Sequence, residues 1–165
     1  MDHFTDALIS KYTLKIPREY DWFAPLIGDW DITYYDEPHD IQRMVKGEWF
    51  FRRVLDGAGI EDLFICPSGD CAAEHLPVGQ HGLAIRIFNS KEACYDTAYA
   101  CESCMKRLRF FNKGGNLVGT LTENASRKWI FSEIRENSFK WNNSTLGADG
   151  VWHINSRVNA IRKSK

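Results

Sequence analysis

The chain has no run of about 18 apolar residues, which excludes a helix that spans a bilayer. It also lacks the basic start and apolar middle of a secretory leader, since it opens Met1-Asp2-His3-Phe4-Thr5-Asp6, so a cytoplasmic protein with no membrane partner is expected. Charge of one sign is missing too. The 21 basic and 22 acidic residues leave a net charge of −1 without any block of like charges, and nucleic acid, which needs a basic footprint, is excluded as a partner. Catalytic signatures are equally scarce. There is no Gly-x-Ser-x-Gly elbow, His-Glu-x-x-His pair, phosphate loop or dinucleotide fingerprint, which disfavours hydrolase, kinase and nicotinamide chemistry.

Cysteine is present in an odd number, five, without the spacing of a secreted disulfide framework, and reduced thiols fit best. Cys101-Glu102-Ser103-Cys104 offers half of a tetrahedral zinc site. The other half would come from Cys66, Cys71, His75 and His81, whose spacings of five, four and six form no compact knuckle. No metal and no cofactor are expected.

With 165 residues, 44% hydrophobic and 13% aromatic, the chain fills one core and is too short to suggest two. Its dominant period is two. Alternating segments fall at 29–35, 43–55, 59–66, 82–88, 93–100, 105–111, 116–122, 127–135, 138–143 and 151–162, joined by Asp56-Gly57, Lys113-Gly114-Gly115, Glu136-Asn137 and Gly147-Ala148-Asp149-Gly150. This predicts an all-β fold, a single antiparallel up-and-down β-barrel of about eight to ten strands. Closure removes the sheet edges that an open meander would expose, although a sandwich remains an alternative. A short helical lead-in, residues 1–21, carries Phe4, Leu8, Ile9 and Tyr12 at weak helical spacing and precedes a barrel domain at 22–165. Residues 67–80 form a loop longer than a hairpin needs, a candidate portal.

Pro25-Leu26-Ile27-Gly28-Asp29-Trp30 resembles the opening of lipocalin-like barrels. Residues 20–27 would plug one end, Gly28 would turn the chain into the first strand, and Trp30 would lie on the barrel floor near Arg157 or Arg162. The second hairpin, running from Gly47-Glu48-Trp49-Phe50-Phe51-Arg52-Arg53 to Ile60-Glu61-Asp62-Leu63-Phe64, resembles a bacterial and fungal family of lipocalin-like domains with no settled activity. Leu83-Ala84-Ile85-Arg86-Ile87-Phe88, Trp129-Ile130-Phe131, Phe139-Lys140-Trp141 and Asp149-Gly150-Val151-Trp152 match as well, whereas 94–104 departs. The resemblance implies a fold rather than an activity.

In the last strand Trp152, Ile154, Val158 and Ala160 share one face, which is expected to point inward and turn His153 outward. Haem barrels of the nitrobindin type hold iron through a histidine near the carboxyl end, and His153 is the sole candidate there, so this parity disfavours haem unless a bulge reverses it. A three-residue turn after Leu55 would put Glu48, Phe50 and Arg52 on one face with Asp62 and Phe64, joined by Arg86.

Two functions follow from that interior. One is a barrel that binds a small, largely apolar molecule, aromatic or polyene-like, with Trp30, Tyr34, Phe50, Arg52, Phe64, Arg86, Tyr99, Trp129 and Trp141 as ligand-binding residues. The other is a cofactor-independent cyclase or isomerase in which Glu48 or Asp62 is the catalytic acid or base. An unpaired carboxylate in a dry pocket would favour the enzyme, and carboxylates that are paired or outside would favour the carrier. A homodimer is compatible with either.

Overall fold

The structure is a computed structural model that describes residues 2–9, 13–36, 43–67 and 80–164. A short helix, α1 (His3–Leu8), precedes two 3-10 turns, Arg18–Tyr20 and Ala24–Leu26. Ten strands follow: β1 (Gly28–Asp36), β2 (Arg43–Val54), β3 (Gly59–Cys66), β4 (Gln80–Asn89), β5 (Cys94–Cys101), β6 (Met105–Lys113), β7 (Asn116–Leu121), β8 (Arg127–Ser132), β9 (Ser138–Leu146) and β10 (Trp152–Arg162). Each pairs antiparallel with its sequence neighbours, and β10 closes on β1 with Trp30 opposite Arg162. The predicted fold class is therefore the observed one. Among the described residues no helix is long and apolar enough to cross a membrane.

Local chemistry accounts for the meander. Lys113 and Asn116 pair across Gly114 and Gly115, whose φ values of +62° and +90° suit the tight two-residue hairpin turn that keeps the strands' right-handed twist. Period-two alternation then sends one side chain of every pair inward, so Phe51, Ile60, Phe110, Phe131 and Phe139 are fully or almost fully buried in a common core.

One barrel end is sealed by the segment before β1. Phe23 and Leu26 are completely buried, each contributing about 1.5–3 kcal/mol by leaving water. Phe23 packs edge-on against Tyr95, Phe110 and Phe131, and Arg53 grips Asp21 with two hydrogen bonds of 3.0 and 2.6 Å. Trp30 lies on this floor, its indole N–H donating 2.8 Å to Leu26 O and its ring 4.1 Å below the Arg162 guanidinium carbon. Arg162 also donates to Ile27 O and Pro25 O, tying the last strand to the plug. Gly28 is required here, because its φ is +136° and a Cβ would stand 2.4 Å from Arg162 Nη1.

Three expectations need correction. The β2–β3 loop holds four residues, 55–58, rather than three, because Val54 pairs with Gly59. In β10 a bulge between Ile154 and Ser156 reverses the expected parity: Trp152 and Ile154 are 37% and 48% exposed, with Lys128 Nζ 3.7 Å from the Trp152 ring, while Ser156, Val158 and Ala160 point inward. Finally, Cys101 and Cys104 are joined as a disulfide across the β5–β6 turn, while Cys94 is a buried free thiol. Tyr12, Cys71, His75 and almost all of the proposed 67–80 portal lie outside the described residues.

Candidate functional site

The four-residue loop decides what the barrel encloses. With Phe51 opposite Asp62 and Trp49 opposite Phe64, the interior face of this hairpin carries Trp49, Phe51, Ile60, Asp62 and Phe64. Glu48, Phe50 and Arg52 are thereby put outside. Glu48 pairs there with Lys163, whose ammonium also sits 5.4 Å from the Phe50 ring, and Arg52 pairs with Asp29 at 2.6 Å. These three residues contribute nothing to the interior. Trp30 is inside but beneath the core, sealed by Phe139 at 4.7 Å, and does not reach the cavity above.

That cavity lies in the half of the barrel opposite the plug and encloses about 90 Å³. Its walls include Tyr34, Trp49, Phe64, Tyr99, Trp129, Phe131 and Trp141, and its polar groups come from Asp62, Gln80, Arg86, Lys106, Asn143 and Ser156. The rings interlock at short range. Trp49 stands 5.1 Å from Phe64 and 5.9 Å from Trp141, and Trp129 stands 4.9 Å from Tyr99 and 5.8 Å from Trp141. Such edge-to-face pairs fix the wall geometry beyond what area burial alone provides.

Between cavity and plug sits an ion pair. Asp62 is 2% and Arg86 1% exposed. One Asp62 oxygen accepts the Trp49 indole N–H at 2.8 Å, and the other accepts Arg86 Nη1. Desolvating two charges is expensive, and a charged partner together with extra hydrogen bonds offsets it. Aromatic faces help the cation: the Arg86 guanidinium carbon lies 4.8 Å from the Phe23 centroid, 5.5 Å from Phe110, 5.6 Å from Phe131 and 5.8 Å from Phe51. The carboxylate thus has both oxygens engaged by structural donors.

Two other cavity groups are shaped by burial. Desolvation, reinforced by the Asp62 and Glu102 charges, pushes the Tyr99 phenol well above its ordinary value, so it stays protonated near neutrality. Desolvation also lowers the Lys106 ammonium, with the Arg127 charge adding to it. Gly82 leaves the space that the Tyr99 ring occupies, since a Cβ there would lie 2.4 Å from the phenolic oxygen.

Of the residues predicted from sequence, Tyr34, Asp62, Phe64, Arg86, Tyr99, Trp129 and Trp141 come together around one cavity. Sequence reasoning missed Trp49, which changed face with the loop length, and Lys106, Asn143 and Ser156. Alternation marks those last three: Lys106 shares a face with Leu108 and Phe110, Asn143 with Phe139 and Trp141, and Ser156 with Val158 and Ala160. His153 is exposed at the rim, its Nε2 within 3.0 and 3.2 Å of the two Asp149 carboxylate oxygens, and lines no part of the cavity. Among the described residues no group of three or more His, Cys, Asp or Glu side chains gathers at metal-holding distance.

No protein-family model matches the chain, and no curated protein does. A solved structure, the crystal structure of Rv2717c from M. tuberculosis, is similar in fold, with a TM-score of 0.57 and 10% sequence identity over 91% of this chain and 100% of that one. At that identity the likeness carries the barrel architecture and nothing about activity.

Proposed function

We propose that the protein binds a small, largely apolar molecule with an aromatic body in the barrel cavity. The observation that carries this reading is a cavity walled by Trp49, Phe64, Tyr99, Trp129, Phe131 and Trp141, rings contributed by strands distant in sequence, with an ion pair beneath them. Aromatic walls with convergent polar groups are a usual make-up of a small-molecule site. Size limits the ligand. A cavity of about 90 Å³ is smaller than the roughly 150 Å³ that accommodates benzene. A single ring therefore enters only in part, and a polyene or fused ring system leaves most of itself at the mouth.

Carriage is favoured over cyclase or isomerase chemistry by the state of the carboxylates. Asp62 is paired with Arg86 and Trp49, and Glu48 is outside and paired with Lys163, so neither stands unpaired in a dry pocket. The reading is tested by native mass spectrometry of protein purified without denaturation, with extraction of any copurifying small molecule. Fluorescence titration of wild type and Trp129→Phe with small aromatic compounds complements it. Saturable quenching that diminishes in the variant supports the site; no quenching by any of them refutes it.

A further inference from the structure

The cavity's polar groups are unevenly balanced. Among the described residues the indole N–H groups of Trp129 and Trp141 and the Nε of Arg86 are buried without a hydrogen-bond partner. Trp129 is only 8% exposed, so its N–H is shielded from bulk solvent. Buried donors are nearly always satisfied in folded proteins, by protein groups or by water, so several donors without a protein partner at one cavity are available to a group that brings acceptors. Lys106 adds a fourth donor group. Its ammonium reaches to 5.9 Å from the Trp129 ring and makes no ion pair among the described residues. On the acceptor side, both Asp62 oxygens are in use, and the buried Asn143 Oδ1, which has no partner among the described residues, belongs to an amide that can turn to present its N–H₂ instead. Charge points the same way. Two cations, Arg86 and Lys106, face one anion, Asp62, so the lining carries one net positive charge.

We infer that the cavity takes a planar aryl monocarboxylate head first, its carboxylate received by the Trp129 and Trp141 indole N–H groups with Lys106 as countercharge and its ring toward the mouth. This rests on the proposed function and names the class of ligand within it. One negative charge completes neutrality where a dianionic phosphate would overshoot. Two oxygens on one carbon supply an acceptor for each of the two unpartnered indole N–H groups, and a head of this size suits a cavity too small for a whole ring. The lowered Lys106 ammonium agrees, because an anion beside it returns what burial removes.

The test compares acids with the matching neutral alcohols: benzoate against benzyl alcohol, and cinnamate against cinnamyl alcohol. Binding to the full chain is read by calorimetry and tryptophan fluorescence. Each acid is expected to bind at least about tenfold more tightly than its alcohol, the scale of a charge-assisted hydrogen bond. Lys106→Met and Trp129→Phe, each verified as folded by circular dichroism, should weaken the acid by about tenfold and the alcohol by clearly less, so that the gap between acid and alcohol narrows; a gap that stays as wide as in wild type counts against the carboxylate assignment. If Trp129→Phe does not fold, the wild-type comparison and Lys106→Met decide alone. Alcohols that match or exceed the acids overturn the carboxylate assignment while leaving a binding barrel in place. Failure of all four to bind overturns both.

Discussion

Removing the buried charges one at a time and then together probes the interior most directly. Arg86→Met leaves the Asp62 carboxylate 2% exposed with Trp49 as its one remaining partner, surrounded by ring faces that repel anions. Losing one member of a buried pair costs about 3–5 kcal/mol. At about 2–4 °C per kcal/mol for a domain of this size, the midpoint of thermal unfolding should fall by roughly 6–20 °C. Asp62→Asn strands the opposite charge, but the guanidinium retains the faces of Phe23, Phe110, Phe131 and Phe51, so its loss should sit at the lower end of that range. In the double variant no ion is buried, and the introduced amide oxygen can still accept from Trp49. Its cost should be about 1 kcal/mol, far below the sum of the singles. Urea titrations followed by circular dichroism give the three free energies. Additive losses, or single losses below about 1 kcal/mol, would show that the pair is not coupled or not dry, and the electrostatic account of the site would fall.

Trp30→Ala removes a fully buried ring from the floor and should cost roughly 3–5 kcal/mol in the same titration, and a loss near zero would contradict the plugged end. Stability should fall as pH rises past about 10: burial raises Tyr95 and Tyr99 above the ordinary 10.0, so the folded state retains protons that the unfolded chain releases. Tyr99→Phe should flatten part of that decline, and an unchanged alkaline slope would refute it. The Cys101–Cys104 bridge closes a very short loop, so the Cys101→Ser, Cys104→Ser double variant should lose no more than about 2 kcal/mol and bind ligand as wild type does. A collapse of binding on adding reductant would contradict this and place the bridge among the groups that hold the ligand.

The strand pattern was legible because alternation is dictated residue by residue, and turn residues such as Gly114 and Gly115 mark where it restarts. The site was less so. Inside and outside in β2 relative to β3 depend on whether three or four residues stand between the two strands, and Leu55 and Asp56 both adopt the left-handed conformation usually left to glycine. A single residue there exchanged Trp49 for Phe50 and removed Glu48 from the interior. The β10 bulge had the same effect on Trp152 and Ile154, because an extra residue costs one ladder step and leaves no mark in composition. The pairing of Cys101 with Cys104 depends on the turn bringing their Cα atoms to 5.2 Å, which spacing alone does not fix.

The seam at which Trp30 meets Arg162 also sets the order of events during synthesis on the ribosome. Every other strand can find its partner in the hairpin just made, but β1, formed first, has an open edge until the last strand emerges. Until then the floor tryptophan lacks its arginine, and the plug carbonyls of Pro25 and Ile27 lack their donor. The contact of greatest sequence separation is thus the one that finishes the molecule, and chains stalled before residue 162 present an unpaired strand to their neighbours.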